Sequence, residues 1–80
     1  MNVMLKTADQ LRKAEVTLEP NYTSNDVIEQ AVANWALDTD ADYNLVNTTK
    51  NITIAPGATL STSNIAEGDV LEIQPVLVAG

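Results

Sequence analysis

Three residue types are missing from this sequence of 80 residues, which has no cysteine, no histidine and no phenylalanine. Without cysteine, a disulfide framework, a thiolate zinc site and a cysteine nucleophile are excluded. Without histidine, the chain lacks the side chain that most often serves as a general base or a metal ligand. No pair of carboxylates has a spacing typical of an active site. We therefore expect a protein that is not an enzyme and that holds no metal or cofactor.

Positive charge is also scarce, because four Lys and Arg residues stand against eleven Asp and Glu, a net charge of -7. Nucleic acids and anionic membranes are bound through clusters of basic residues, so neither is an expected partner. The first six residues lack the basic start and long apolar run of a signal peptide, and no apolar run approaches the length of a membrane span. The sequence therefore predicts a cytoplasmic protein.

The residues that are present suffice for one small domain. Hydrophobic residues make up 45% of the chain, which is enough for a core and too much for a disordered chain. The only aromatic residues are Tyr22, Tyr43 and Trp35. The core must therefore consist mainly of Val, Ile, Leu and Ala side chains.

Alternating apolar and polar residues predict strands at both ends of the chain. Residues 2–7 and 14–18 alternate and read as a β-hairpin, which Glu19-Pro20 ends because proline cannot donate to a sheet. Residues 43–46 and 52–54 predict a third strand and a short fourth one. The apolar residues Val70, Leu71 and Ile73 predict the last strand, after a turn in which Gly68 adopts a positive φ.

A helix is predicted between the second and third strands. Thr23 is a natural N-cap, and Asp26 three residues later completes a capping box. Val27, Ala31 and Trp35 form an apolar stripe at helical spacing, so we expect Trp35 to pack against the core. The helix should end near residue 37, because the acidic residues that follow are unfavourable at a helix C-terminus.

The acidic segment after the helix has the D-x-D-x-D pattern that opens a calcium loop, at Asp38, Asp40 and Asp42. However, Tyr43 occupies the position of the required turn glycine, and Thr49 that of the bidentate glutamate. We therefore interpret the segment as an ordinary loop.

This order of elements predicts an α+β domain, in which one helix packs on one face of a sheet. We expect the last strand in the middle of the sheet or beside the first, because no crossover follows it, and its apolar content suits a buried central position. We expect the domain to span residues 1–75 and a tail to span residues 76–80, since Pro75 ends strand pairing. The tail ends in Ala79-Gly80, whose small side chains would let the terminal carboxylate enter a narrow site on a partner. An equally good interpretation is that residues 76–80 are simply a frayed end of the last strand.

The chain resembles ubiquitin and the β-grasp family nearly from end to end. The matching residues are Lys6-Thr7 at the end of the first strand, Glu19-Pro20 before the helix, Leu45-Val46 with Lys50 and Ile52, Thr59-Leu60-Ser61, Asn64-Ile65, and Leu71 with Ile73. The resemblance implies a β-grasp roll, with a four- to five-stranded mixed sheet and one helix on one face.

The sequence departs from ubiquitin mainly in its tail and its recognition patch. Ala79-Gly80 replaces Gly-Gly, and Val76 stands in place of a basic residue. Of ubiquitin's apolar recognition patch only Val46 remains, and Gln74 occupies another of its positions. The chain is also similar to bacterial ubiquitin-like proteins, both the modifiers of ubiquitination-like pathways and the YukD/EsaB-type accessory proteins of type VII secretion.

The resemblance implies three alternative functions. In a modifier, an E1-like enzyme would activate the Gly80 carboxylate, with an E2-like enzyme, a JAB-type protease and target proteins as further partners. A non-conjugated module of the YukD/EsaB type would act only by binding, and a sulfur carrier would bear a thiocarboxylate on Gly80. In a modifier, Lys50, Lys6 and Lys13 are candidate chain acceptors, although solvated surface lysines are the simpler interpretation. The implied interaction surface comprises Val46, Gln74 and Leu77.

Overall fold

The computed structural model describes residues 1–76, which form five strands, one α-helix and one 3₁₀ turn. In chain order, the elements are β1 (Asn2–Thr7), β2 (Lys13–Thr17), α1 (Ser24–Trp35), β3 (Tyr43–Asn47), β4 (Ile52–Ile54), the 3₁₀ turn (Leu60–Thr62) and β5 (Val70–Pro75). The bounds agree with the sequence prediction to within about two residues at each end.

The five strands form one mixed sheet in the order β2-β1-β5-β3-β4. β1 and β5 are parallel, with Leu5 opposite Leu71, and the other neighbouring strands are antiparallel. β5 therefore lies at the centre of the sheet and beside β1 at the same time. The predicted α+β class and the β-grasp arrangement, with one helix against a mixed sheet, are confirmed.

The core lies between the sheet and one face of α1. The side chains of Leu45 and Leu71 are fully buried, and Val27 and Ala31 meet them from the helix. Because successive side chains of a strand point to opposite faces of the sheet, every second side chain points away from α1, toward solvent. The buried apolar residues are Val3, Leu5, Leu18, Val27, Ala31, Leu45, Ile54, Leu60, Leu71 and Ile73, with Trp35 among those packed partly against them.

Both ends of α1 are fixed by local hydrogen bonds. The predicted capping box is present, because the Thr23 hydroxyl accepts from the Asp26 amide and the Asp26 carboxylate accepts from the Thr23 amide. The helix ends at Trp35, two residues before the expected end near residue 37. Ala36 adopts a left-handed conformation, with φ of 52°, and its amide and that of Leu37 both donate to the Val32 carbonyl.

Candidate interaction surfaces

The outer face of the sheet, which points away from α1, carries several of the residues implied by the resemblance, among them Val46, Lys6 and Gln74. Val46 on β3 and Lys6 on β1 both lie opposite Glu72 on the central strand. The Lys6 ammonium pairs with the Glu72 carboxylate, with Nζ and Oε2 3.4 Å apart. The Gln74 amide donates to the other carboxylate oxygen, Oε1, at 3.1 Å. This face is therefore mixed in polarity, and Val46 and Gln74 flank a charged centre instead of forming an apolar patch.

The three candidate acceptor lysines lie in different surroundings. Lys6 is held in the ion pair with Glu72, and Lys50 in an ion pair with Asp69 at 3.2 Å. The Lys50 ammonium also donates to the Asn64 carbonyl. Lys13 is exposed at the start of β2. Of the three, Lys13 therefore has the most accessible amine.

A buried polar cluster joins the turn after β3 to the turn before β5. One oxygen of Asp69, Oδ2, accepts from the Asn47 side-chain amide at 2.8 Å and from the Ala66 backbone amide at 2.9 Å, and it also faces the Lys50 ammonium. The Ala66 amide and the Asn47 side chain hold the pKa of Asp69 below its ordinary value, and Lys50 adds to the effect. Asn47 is fully buried and also accepts from the Lys50 amide at 3.1 Å.

This cluster was missed at the level of sequence, where the third strand was expected to end at residue 46, before Asn47. A signal was available, because Asn47 follows Tyr43 and Leu45 at the inward-facing positions of β3. Within residues 1–76, no buried side-chain nitrogen or oxygen lacks a hydrogen-bond partner. We therefore assign the cluster a structural role, since it leaves no unpaired buried group to bind or react.

The tail begins at the end of the central strand. Pro75 lies opposite Tyr43, and the Val76 amide donates to the Asp42 carbonyl at 2.9 Å. The Val76 side chain is 39% exposed. The predicted site residues Leu77, Ala79 and Gly80 lie outside the described residues.

A groove of about 670 Å³ lies between α1 and β2. Apolar residues from both elements line it, among them Ala14, Val16, Ala31 and Trp35. Its polar lining includes two carboxylate residues of α1, Asp26 and Glu29, and no lysine or arginine. The groove combines an apolar floor with an open strand, because β2 is an edge strand.

The acidic segment after α1 forms hydrogen bonds within the loop. The Asp38 carboxylate accepts from the Asp40 amide at 2.9 Å, and the Tyr43 hydroxyl donates to the Asp38 carbonyl at 2.9 Å. Across the part of the chain with described coordinates, no three Asp or Glu side chains are grouped so as to hold a metal ion. The same residues contain no helix that is long and apolar enough to cross a membrane.

Comparisons with known proteins do not assign this chain to a family. No protein-family model matches it, and a search of curated proteins found no significantly similar sequence. The candidate surfaces must therefore be interpreted from their own geometry and chemistry.

Proposed function

We propose that this protein is a ubiquitin-like modifier, which is joined to other proteins through the carboxyl group of Gly80. The position of β5 supports the proposal most directly. β5 pairs with strands on both sides, so its last residue, Pro75, and the following Val76 are fixed to the body of the domain. Residues 75 and 76, from which the tail continues, are therefore held in a fixed position on the domain. A partner enzyme that binds the domain can use this fixed position to place the Gly80 carboxylate.

The proposed reaction has three steps, all catalysed by partner proteins. First, a carboxylate oxygen of Gly80 attacks the α-phosphorus of ATP on an E1-like enzyme, and pyrophosphate leaves. Second, a cysteine thiolate of the E1-like enzyme attacks the carbonyl carbon and AMP leaves. A cysteine thiolate of an E2-like enzyme then attacks this thioester, and the E1 thiolate leaves. Third, the neutral amine of a target lysine attacks the thioester, which forms an isopeptide bond and releases the thiol.

Small side chains at the reacting end fit this chemistry. Ala79 adds only one methyl group to the glycine of the usual Gly-Gly pair, and Gly80 has no side chain to obstruct a narrow cleft. The proposal requires a free carboxylate on Gly80. In a longer precursor, a JAB-type protease would have to cleave after this residue.

If chains of the modifier form, we expect Lys13 to be the main acceptor. Its amine is exposed on β2, whereas the amines of Lys6 and Lys50 are held by carboxylates. An amine held in an ion pair must leave its carboxylate before it can reach a thioester, whereas an exposed amine is already accessible.

The proposal is tested by mass spectrometry of proteins from the native cell, after digestion with a protease that cleaves at glutamate. Cleavage after Glu72 leaves the segment 73–80 on any modified lysine, and this remnant identifies the attachment site. We expect the remnant in cells with the wild-type chain and not in cells in which Gly80 is deleted. Lys13→Arg serves as the matched variant, because it keeps the tail and should lose only attachment between copies.

Deletion of Gly80 should leave the melting temperature unchanged, because the core described in residues 1–76 runs from Val3 to Ile73. Absence of remnants with the wild-type chain, or their persistence after the deletion, would overturn the proposal. A free chain with sulfur in place of one terminal oxygen would identify a sulfur carrier instead.

The mixed polarity of the outer face favours a second candidate, a non-conjugated interaction module of the YukD/EsaB type. The Lys6–Glu72 ion pair occupies the centre of the face on which an apolar recognition patch would lie. A module of this kind would retain its cellular role after Gly80 is deleted.

A further inference from the structure

The open edge of the sheet at β2 is the starting point for a second binding site. β2 pairs with β1 on one side, and within residues 1–76 no strand pairs with its other side. An unpaired strand edge can accept an extended segment of another chain through backbone hydrogen bonds. The groove beside α1 lies along the same strand.

The hydrogen bonds at the ends of the β1–β2 hairpin show which backbone groups of β2 are free. Met1 and Leu18 exchange two hydrogen bonds, each 2.8 Å long, so they form a hydrogen-bonded pair. At the other end, the Thr7 amide donates to the Arg12 carbonyl at 3.0 Å. Hydrogen-bonded and non-hydrogen-bonded pairs alternate along an antiparallel ladder. The hydrogen bonds at the two ends of the hairpin therefore predict the same order of hydrogen-bonded and non-hydrogen-bonded pairs for the residues between them.

In this alternation, Ala14 and Val16 direct their backbone groups toward β1. Lys13, Glu15 and Thr17 direct their amides and carbonyls away from the sheet, where they offer three donors and three acceptors. These six groups are enough to pair with an extended segment of about five residues.

The groove explains why such a segment would carry apolar side chains. The Ala14 and Val16 side chains point from β2 into the groove, and Ala31 and Trp35 line it from α1. Successive side chains of a strand point to opposite faces. Alternate side chains of an added strand would therefore lie over this apolar floor, and the others would face solvent.

The charged residues around the groove indicate the sign of the charge that a bound segment should carry. Asp26 and Glu29 line the groove, and no lysine or arginine does. The Asp26 carboxylate also accepts a hydrogen bond from the Thr23 amide in the capping box. Lys13 is the one basic residue of β2, and the whole chain has a net charge of -7. Basic residues at the ends of a bound segment would be attracted to this rim.

We propose that the β2 edge and the groove beside α1 bind an extended segment of a partner protein, in which apolar residues alternate with polar ones and lysines or arginines flank them. A second copy of this chain fits less well. The fullest antiparallel pairing of two β2 strands would place Glu15 opposite Glu15, and both chains are strongly acidic. The proposal is independent of conjugation, because it uses no residue beyond Trp35.

A synthetic peptide can test this site directly. The probe alternates valine and isoleucine with threonine and has two lysines at each end. Trp35 is the only tryptophan, so its fluorescence reports binding in the groove. We expect a saturable change, and affinity lower by roughly fivefold when glutamates replace the lysines of the peptide, which is the effect of one or two exposed ion pairs.

Amide hydrogen exchange supplies a second measurement that needs no mutation. In the free protein, we expect fast exchange at Lys13, Glu15 and Thr17 and slow exchange at Ala14 and Val16. Addition of the peptide should slow exchange at the first three residues. Unchanged exchange there, despite binding, would overturn the proposal.

Two matched pairs of variants complete the experiment. Glu15→Pro removes an outward amide, whereas Glu15→Thr removes the same charge and keeps the amide, so only the proline variant should abolish binding. Glu29→Lys reverses a charge in the groove, and Asp40→Lys makes the same change of net charge in an exposed loop that does not line it. We expect weaker binding only for Glu29→Lys. Equal effects within either pair, no binding at all, or self-association through β2 would refute the proposed site.

Discussion

At the scale of single residues, Asn47 and Asp69 determine how two turns meet. Three donors converge on one oxygen of Asp69, and they come from Asn47, Ala66 and Lys50. The Asp69 residue is only 5% exposed. Loss of one partner would leave a buried polar group unsatisfied, which costs more than the net contribution of the hydrogen bond itself.

The first prediction concerns the charge of Asp69. Asp69→Asn should lower the free energy of unfolding by about 1–3 kcal/mol at neutral pH, because hydrogen bonds to a charged acceptor are replaced by weaker ones. The pKa of Asp69 is lower in the folded state than its ordinary value of about 3.9. Its contribution is therefore complete above about pH 4 and is lost as the pH falls through the folded-state pKa.

Urea unfolding of wild type and variant at about pH 7 and about pH 3 measures this difference. We expect the difference between the two proteins to shrink at the lower pH. Asp40→Asn is the control, because Asp40 is exposed and should have little effect at either pH. An equally large loss of stability at both pH values would mean that the charge of Asp69 is not what stabilises the turns.

At the scale of elements, α1 is held by its first turn. The capping box satisfies the amides of Thr23 and Asp26. The Ser24 hydroxyl lies 2.9 Å from the carbonyls of both Ala55 and Pro56, and its amide donates to the Ala58 carbonyl. The start of α1 is thus tied to the segment after β4, which fixes the helix over the sheet and sets the width of the groove beside β2.

The second prediction therefore concerns the helix cap. Thr23→Ala should destabilise the protein by about 1 kcal/mol, because the Asp26 amide loses its acceptor. Thr23→Ser keeps a hydroxyl oxygen at the same place and should recover most of the loss. The two variants can be compared by thermal unfolding. Equal melting temperatures for the alanine and serine variants would show that the hydroxyl does not stabilise the helix.

At the scale of the whole molecule, the core depends on β5. The third prediction is that Leu71→Ala costs about 2–5 kcal/mol, because Leu71 is fully buried at the centre of the sheet. Val70→Ala, on the neighbouring residue that faces outward, should cost much less. In a domain of this size, each kcal/mol lowers the melting temperature by about 4–8 °C. An unchanged melting temperature for Leu71→Ala would contradict the central position of β5.

Features that depend on neighbouring residues could be predicted from the sequence. The cap at Thr23 and the positive φ of Gly68, observed as 85°, follow from local backbone chemistry. The strands followed from alternation, and the central place of β5 from its apolar content. The helix ends two residues before the expected residue 37, because Ala36, a good helix former, adopts the left-handed conformation in this tertiary context.

The candidate surfaces were harder to predict than the fold. The buried role of Asn47 depends on Asp69, which is 22 residues away in the chain. The groove and the free amides of β2 depend on which strand became the sheet edge, and alternation within a strand carries no information on strand order. The tail residues implied by the resemblance, Ala79 and Gly80, remain a prediction.

The central position of β5 also has a consequence for biosynthesis. The hairpins β1–β2 and β3–β4 do not pair with each other, since β5 separates them in the sheet. While the chain is emerging from a ribosome, both hairpins are complete before β5 exists, and their inner edges stay open. The sheet can close only when β5 enters between them, so we expect folding to begin late and to be limited by this long-range insertion.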